Sequence, residues 1–209
     1  MKKLIKDVPR EQSGIFGISI YANLNAAIFR DDEERTTFMK CLFESANRYE
    51  GKIMDFILED THIHLLVFAK YLSKMIGYAL RNFSRIHNRK HHKAGNLFVS
   101  PFQSFPITSD KQLMNQSFYI MYNAVAAGQC THPKDYKWCS WKYHFREGDM
   151  HIDTSFVDSL FKDMNDYEKS YFAYQQVREH CRKSRDANGR YLDVQYVNPA
   201  GDPDAELGD

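Results

Sequence analysis

The apolar positions of this chain change period along its length. "IFGISIYANL" (15–24) alternates in part and is rich in aromatic and β-branched residues, which predicts a strand. "RDDEERTTFMKCLFESANRYEG" then takes up helical spacing through Phe38, Leu42 and Ala46. Asp31 or Asp32 can cap that helix, acids fill its first turn, and Gly51 marks its end. "KIMDFILED" and "HIHLLVFA" predict two strands joined by a few polar residues around Glu59–Thr61, hence an antiparallel pair. Tyr71 to about His91 returns to the helical period, with Leu72, Ile76, Leu80, Phe83 and Ile86 on one face. "GNLFVSPFQSFPI" predicts a strand in which Pro101 requires an edge or a bulge. Ser109–Asp110 can cap a third helix that Gly128 ends.

The order β-α-β-β-α-β-α predicts an α+β fold, a ferredoxin-like or RRM-like antiparallel sheet with helices packed on one face. Beyond residue 150 the character changes. "DTSFVDSLFKDM" and "NDYEKSYFAYQQVREHCRKSR" predict two short helices, with Asn165 and Glu168 at capping-box spacing before the second. The end, "NPAGDPDAELGD", has the Pro, Gly and acid content expected of a mobile tail. The expected division is a main domain over 1–150, a helical extension over 151–195 and an acidic tail over 196–209.

Composition narrows the class. The 209 residues are 43% hydrophobic and 26% charged, enough for one sizeable core. No apolar run approaches the roughly 20 residues needed to span a bilayer. "MKKLIKDVPREQ" lacks the apolar segment of a secretory signal. The four cysteines include no C-x-x-C pair, so reduced thiols in a cytoplasmic protein are expected. The net charge of +1 conceals an asymmetry: Lys and Arg exceed Asp and Glu by six over residues 1–150 and fall short by five over 151–209. The densest basic stretch, "RNFSRIHNRKHHK", places Arg81, Arg85 and Arg89 four residues apart on one helix face, with Lys93 following. Such a stripe suits a polyanion, and it equally suits a solvated surface.

The candidate chemistry starts at "THIH". On a strand, residues i and i+2 share a face, so His62 and His64 project side by side and Ile63 points the other way. Two adjacent imidazoles begin a divalent metal site without completing one. In "FYIMYNAV", Tyr119 and Asn123 lie one helical turn apart. They offer a phenol and an amide oxygen that a hard cation accepts. Taken alone, a tyrosine within a helix with aromatic neighbours is usually a core or interface residue.

Taken together and in order, "IFGISIYANLNAAIFRDDEER", "THIHLLV", "LSKMIGYALRNFSRIHNRKHHKAGNLF" and "YIMYNAVAAGQCTHPKDYKWCSW" are similar to the motifs of one family. The chain resembles the single-tyrosine HUH transposases, and most closely the REP-associated tyrosine transposases, over roughly Ile15 to Phe145. The last stretch resembles that family's YI-x-x-NPV-x-AG…P-x-DY-x-WSS ending. The resemblance implies the HUH endonuclease fold. It also implies that His62 and His64 are the metal-binding histidines, that Tyr119 is the nucleophile, and that Asn123 is a third metal ligand. A Mg²⁺ or Mn²⁺ ion would grip the scissile phosphate of single-stranded DNA near a hairpin. Tyrosine attack would give a 5′-phosphotyrosine link and a free 3′-OH, and a second strand's 3′-OH would complete the transfer.

In that setting Arg81, Arg85, Arg89 and Lys93 are candidate contacts to a DNA backbone. His91 and His92 could assist, or be surface residues. Trp138 and Trp141 could stack on bases, although core packing is the expectation for Trp138. Tyr122, three residues after Tyr119, is a rival nucleophile. The chain departs from the family's pattern at Thr61, Ala124, Asn96 and Pro101. Three functions follow: a metal-dependent DNA strand transferase, a hairpin DNA- or RNA-binding relative that has lost cleavage, and an unrelated metal hydrolase. The third lacks the acidic ligands such enzymes need. Both a monomer and a homodimer are compatible with the sequence, and no membrane partner is expected.

Overall fold

Phe16, Ile18 and Ile20 alternate along the first strand and point to one side, where they are buried. That strand, β1 (Gly14–Tyr21), leads into α1 (Asp32–Arg48). The Asp31 carboxylate caps α1 by accepting from the Glu34 amide at 2.8 Å, and Asp32, Glu33 and Glu34 line its positive end. β2 (Lys52–Leu58) and β3 (His62–Ala69) form the expected antiparallel hairpin. α2 (Leu72–Lys90), β4 (Gln103–Ile107) and α3 (Asp110–Ala126) follow, and Ser109 caps α3. The computed structural model describes residues 12–23, 27–146 and 151–183, so the acidic tail expected at 196–209 lies outside the described residues.

The sheet is antiparallel, with strand order β2-β3-β1-β4. This is the ferredoxin-like arrangement that the element order predicts. β4 is an edge strand, which accommodates Pro106, while Pro101 lies before the strand rather than within it. Gly17 lies opposite Phe105 on β4, whose ring lies across it where any Cβ would clash.

One part of the expectation changes. α1 and α2 cover one face of the sheet, packing on Phe16, Ile18, Ile20, Ile63, Leu65 and Val67. α3 lies on the opposite face, in a second core with Met54, Ile57 and Leu66. The helices are therefore not all on one face. The reason is in the strands: β2 and β3 are apolar on both sides, so both faces need cover. The β-α-β-β-α-β unit confines only its two crossover helices, and α3 comes after the last strand.

Two further helices, α4 (Ser155–Asp158) and α5 (Met164–Lys183), complete the second core through Val157, Tyr167 and Tyr171. Asp163 rather than Asn165 caps α5, accepting from the Asp166 amide at 2.9 Å. Glu168 instead bonds His132 Nε2 at 2.9 Å. The segment before α4 seals the free edge of β2. Leu58 N donates to Trp138 O, Phe56 N to Ser140 Oγ, and Asp153 N to Ile53 O. The α2 seam also shifts. Ile86 is 45% exposed, and His87, at 2%, takes the buried position. Among the described residues, no helix is long and apolar enough to cross a membrane.

Candidate active site

β3 places Ile63, Leu65 and Val67 against α1 and α2, which turns His62 and His64 to the opposite face, the one that α3 covers. The two rings lie 5.1 Å apart, centroid to centroid. β1 holds them from the side. Ser19 is the register partner of His64, and its hydroxyl hydrogen-bonds His64 Nδ1 at 2.9 Å. Tyr21 is the partner of His62, and the two rings stack at 6.1 Å. These cross-strand pairs fix both imidazoles on rigid elements.

α3 presents Tyr119 to this pair. Its ring lies 5.2 Å from that of His64, edge to face. Asn123, one turn later, donates its side-chain amide to the Tyr119 carbonyl at 2.7 Å, leaving its oxygen as an acceptor. The rival tyrosine goes elsewhere: Tyr122 is 6% exposed and packs toward Tyr174 of α5 in the second core. His62, His64 and Tyr119, far apart in sequence, are thus brought together, and Asn123 follows one turn later on the helix that carries Tyr119.

Two more side chains join them that sequence reading missed. Glu59, 2% exposed, sets its carboxylate against His62 Nε2. Neither of its oxygens makes a hydrogen bond of normal geometry. Arg178 of α5 carries its guanidinium over the Tyr119 ring, 5.9 Å from the centroid. Glu59 had a weak signal, three residues before His62 in a tight turn. Arg178 had none, because only the docking of α5 brings it there.

The electrostatics suit a cation. Burial, and then repulsion from His62, push the His64 pKa down to about 3, so the ring is neutral at ordinary pH. A neutral imidazole is the form that binds metal. The buried Glu59 carboxylate lies against the neighbouring His62 rather than His64. Imidazole nitrogens and a carboxylate are donor types that divalent cations accept, although His62 Nδ1 faces the Thr61 hydroxyl at 3.2 Å and its Nε2 faces Glu59.

The basic stripe is not part of this convergence. Arg81, Arg85 and Arg89 are exposed on α2, which packs against the other face of the sheet, and Lys93 is exposed just past the end of that helix. The tryptophans are also committed elsewhere. Trp141 is 4% exposed among His132, Tyr167 and Tyr171. The Trp138 indole N–H donates to Asp32 at 2.6 Å.

No protein-family model matches the chain, and no curated protein matches it. Solved structures do. A REP-associated tyrosine transposase bound to a REP hairpin superposes over 72% of this chain and 94% of its own, at 13% identity and a TM-score of 0.56. The chain has that protein's fold. A putative transposase from Deinococcus radiodurans R1 matches 57% of this chain and 95% of its own, at 16% identity and a TM-score of 0.38.

Proposed function

We propose that this chain is a single-stranded DNA transposase that cleaves and rejoins DNA near hairpins through a 5′-phosphotyrosine intermediate on Tyr119. The observation that carries the reading is the approach of Tyr119, from α3, to the His62–His64 pair of β3. The shared fold with a transposase bound to a REP hairpin supports hairpin DNA as the substrate class.

The chain's own residues divide the work. His62, His64, Glu59 and Asn123 would hold a Mg²⁺ or Mn²⁺ ion. When bound, such an ion supplies positive charge to the scissile phosphate and lowers the pKa of a nearby phenol. Tyr119 Oη attacks phosphorus and loses its proton to solvent. The P–O3′ bond breaks, and the departing 3′ oxygen takes up a proton. In rejoining, a second strand's 3′-OH attacks the same phosphorus, the P–O bond to tyrosine breaks, and the phenol regains its proton. Bond energy is conserved in the link, so no nucleotide cofactor is required. A phenol with a pKa near about 10 is a weak nucleophile at neutral pH. Arg178, over the Tyr119 ring, stabilises the phenolate and the charge growing on the phosphate oxygens.

The test is incubation of the full chain with labelled hairpin DNA carrying a single-stranded flank, with Mn²⁺, and a denaturing gel for a protein–DNA adduct. The adduct is expected with the native chain and with Tyr122→Phe, and is expected to be lost with Tyr119→Phe. A Tyr119→Phe protein that still forms it overturns the nucleophile assignment. A hairpin that binds tightly with no adduct under any metal would make the protein a recognition module.

A further inference from the structure

On the face of the sheet that α1 and α2 cover, away from Tyr119, three metal-ligating side chains converge. Glu34 sits in the first turn of α1, and His87 and His91 lie one turn apart at the end of α2. One ligand atom from each can be chosen so that all three lie within 4.8 Å of one another. Glu34 and His87 are each 2% exposed. The two imidazole centroids are 4.5 Å apart.

Part of the cluster has an ordinary explanation. Glu34 Oε2 accepts from the Arg30 amide at 2.8 Å, a local bond at the start of α1. Glu34 Oε1 faces His91 Nε2. Neither contact accounts for His87. That ring is buried next to Phe83, and neither nitrogen makes a hydrogen bond of normal geometry. The neighbouring Asn88 amide donates to the Gly95 carbonyl at 2.9 Å. A buried imidazole with two unused nitrogens is expensive unless something else binds it.

We propose that Glu34, His87 and His91 form a second divalent-metal site, suited to zinc, that clamps the start of α1 to the end of α2. Histidines at i and i+4 on a helix present their nitrogens to a single point, and a carboxylate from a neighbouring helix completes a three-ligand set with water in the fourth position. Imidazole and carboxylate together favour a borderline ion such as zinc over magnesium or calcium. Two cations border the site and must give way. Arg30 Nη1 lies 3.3 Å from His91 Nδ1, and Lys90 Nζ lies 3.5 Å from Glu34 Oε1. Lys90 already has Asp31 and Glu33 as partners, each at 3.0 Å, so it does not depend on Glu34. The proposal stands apart from the DNA chemistry and survives its failure.

The experiment uses the full chain with His62→Ala and His64→Ala, which removes the other imidazole pair. The chelator-stripped protein is titrated with zinc, and bound metal and thermal midpoint are measured. A parallel titration with Co²⁺ reads visible absorption. The expected result is one tightly held zinc per chain, a higher midpoint with zinc, and a tetrahedral cobalt band. Adding His87→Leu or His91→Gln should weaken zinc binding at least tenfold and abolish the midpoint shift. His91→Gln, at a partly exposed position, keeps the test valid if His87→Leu fails to fold. No zinc bound by the His62/His64 variant, or undiminished binding in His91→Gln, overturns the proposal.

Discussion

His64 and His144 are buried to the same degree, 1% and 3% exposed, on the same side of the sheet, and their protons behave oppositely. His64 meets a serine hydroxyl and a second imidazole, and its pKa falls to about 3. Burial would also depress His144, but Asp55 and Asp158 outweigh it and push its pKa up to about 9. Nδ1 donates to Asp158 at 2.6 Å, Nε2 to Asp55 at 3.0 Å, and the Tyr167 ring stacks on the imidazole at 4.4 Å. Ser140 also donates to Asp55 Oδ1, and Thr154 and the Phe145 amide donate to the second oxygen of Asp158. Burial alone does not decide what a histidine does; the charge placed next to it does. One histidine is neutral and held by a serine hydroxyl. The other is a cation that ties β2, α4 and α5 together.

The largest effect expected is on chemistry at the first site. Tyr119→Phe should abolish the covalent adduct, and His62→Ala with His64→Ala should lower its rate roughly 100-fold or more, the several kcal/mol that a bound cation contributes. A denaturing gel reads both.

Stability separates the two histidines next. His144→Leu strands two carboxylates, one fully buried, and should destabilise the fold by about 3–5 kcal/mol. His64→Leu leaves only the Ser19 hydroxyl without its partner and should cost about 1 kcal/mol. Urea unfolding of both variants measures this, and equal losses would erase the distinction.

The pH dependence should follow with opposite signs. The native chain holds the His144 proton more tightly than the unfolded chain. Its contribution is full below pH 6.5 and is lost as pH rises through about 9. The native chain holds the His64 proton less tightly. Its contribution is full above pH 6.5 and is lost as pH falls toward about 3. Unfolding free energy measured from acid to alkali should lose its alkaline limb in His144→Leu and not in His64→Leu.

Smaller effects test the ligand shell and the stripe. Glu59→Gln should raise the Mn²⁺ concentration for half-maximal adduct roughly tenfold, the usual penalty for weakening a group that supports a metal site. Replacing Arg81, Arg85 and Arg89 with Gln should change hairpin affinity least, because the stripe faces away from Tyr119. Its signature would be a shallower salt dependence, by about one for each phosphate no longer neutralised.

Much of this was legible in the chain itself. The alternation in "HIHLLVF" put both imidazoles on one face, and i, i+4 spacing put Asn123 with Tyr119. The period changes also gave the element order. What was not legible is contact made across the fold. The side of the sheet that α3 covers depends on which of two apolar strand faces is left open. Ser19 reaches His64 only through strand register, and Arg178 reaches Tyr119 only through the docking of α5. His87 and Ile86 are equally good neighbours of Phe83 on a helix. The packing of α1 against α2 selects the histidine.

The position of α3 has one more consequence. The helix carrying Tyr119 is held between its own sheet and its own α5, with Tyr167 and Tyr171 buried beneath it. Tyr119 and the two histidines therefore come from a single polypeptide. A mixture of Tyr119→Phe and His64→Ala chains should not regain activity, because neither can lend the other its missing part.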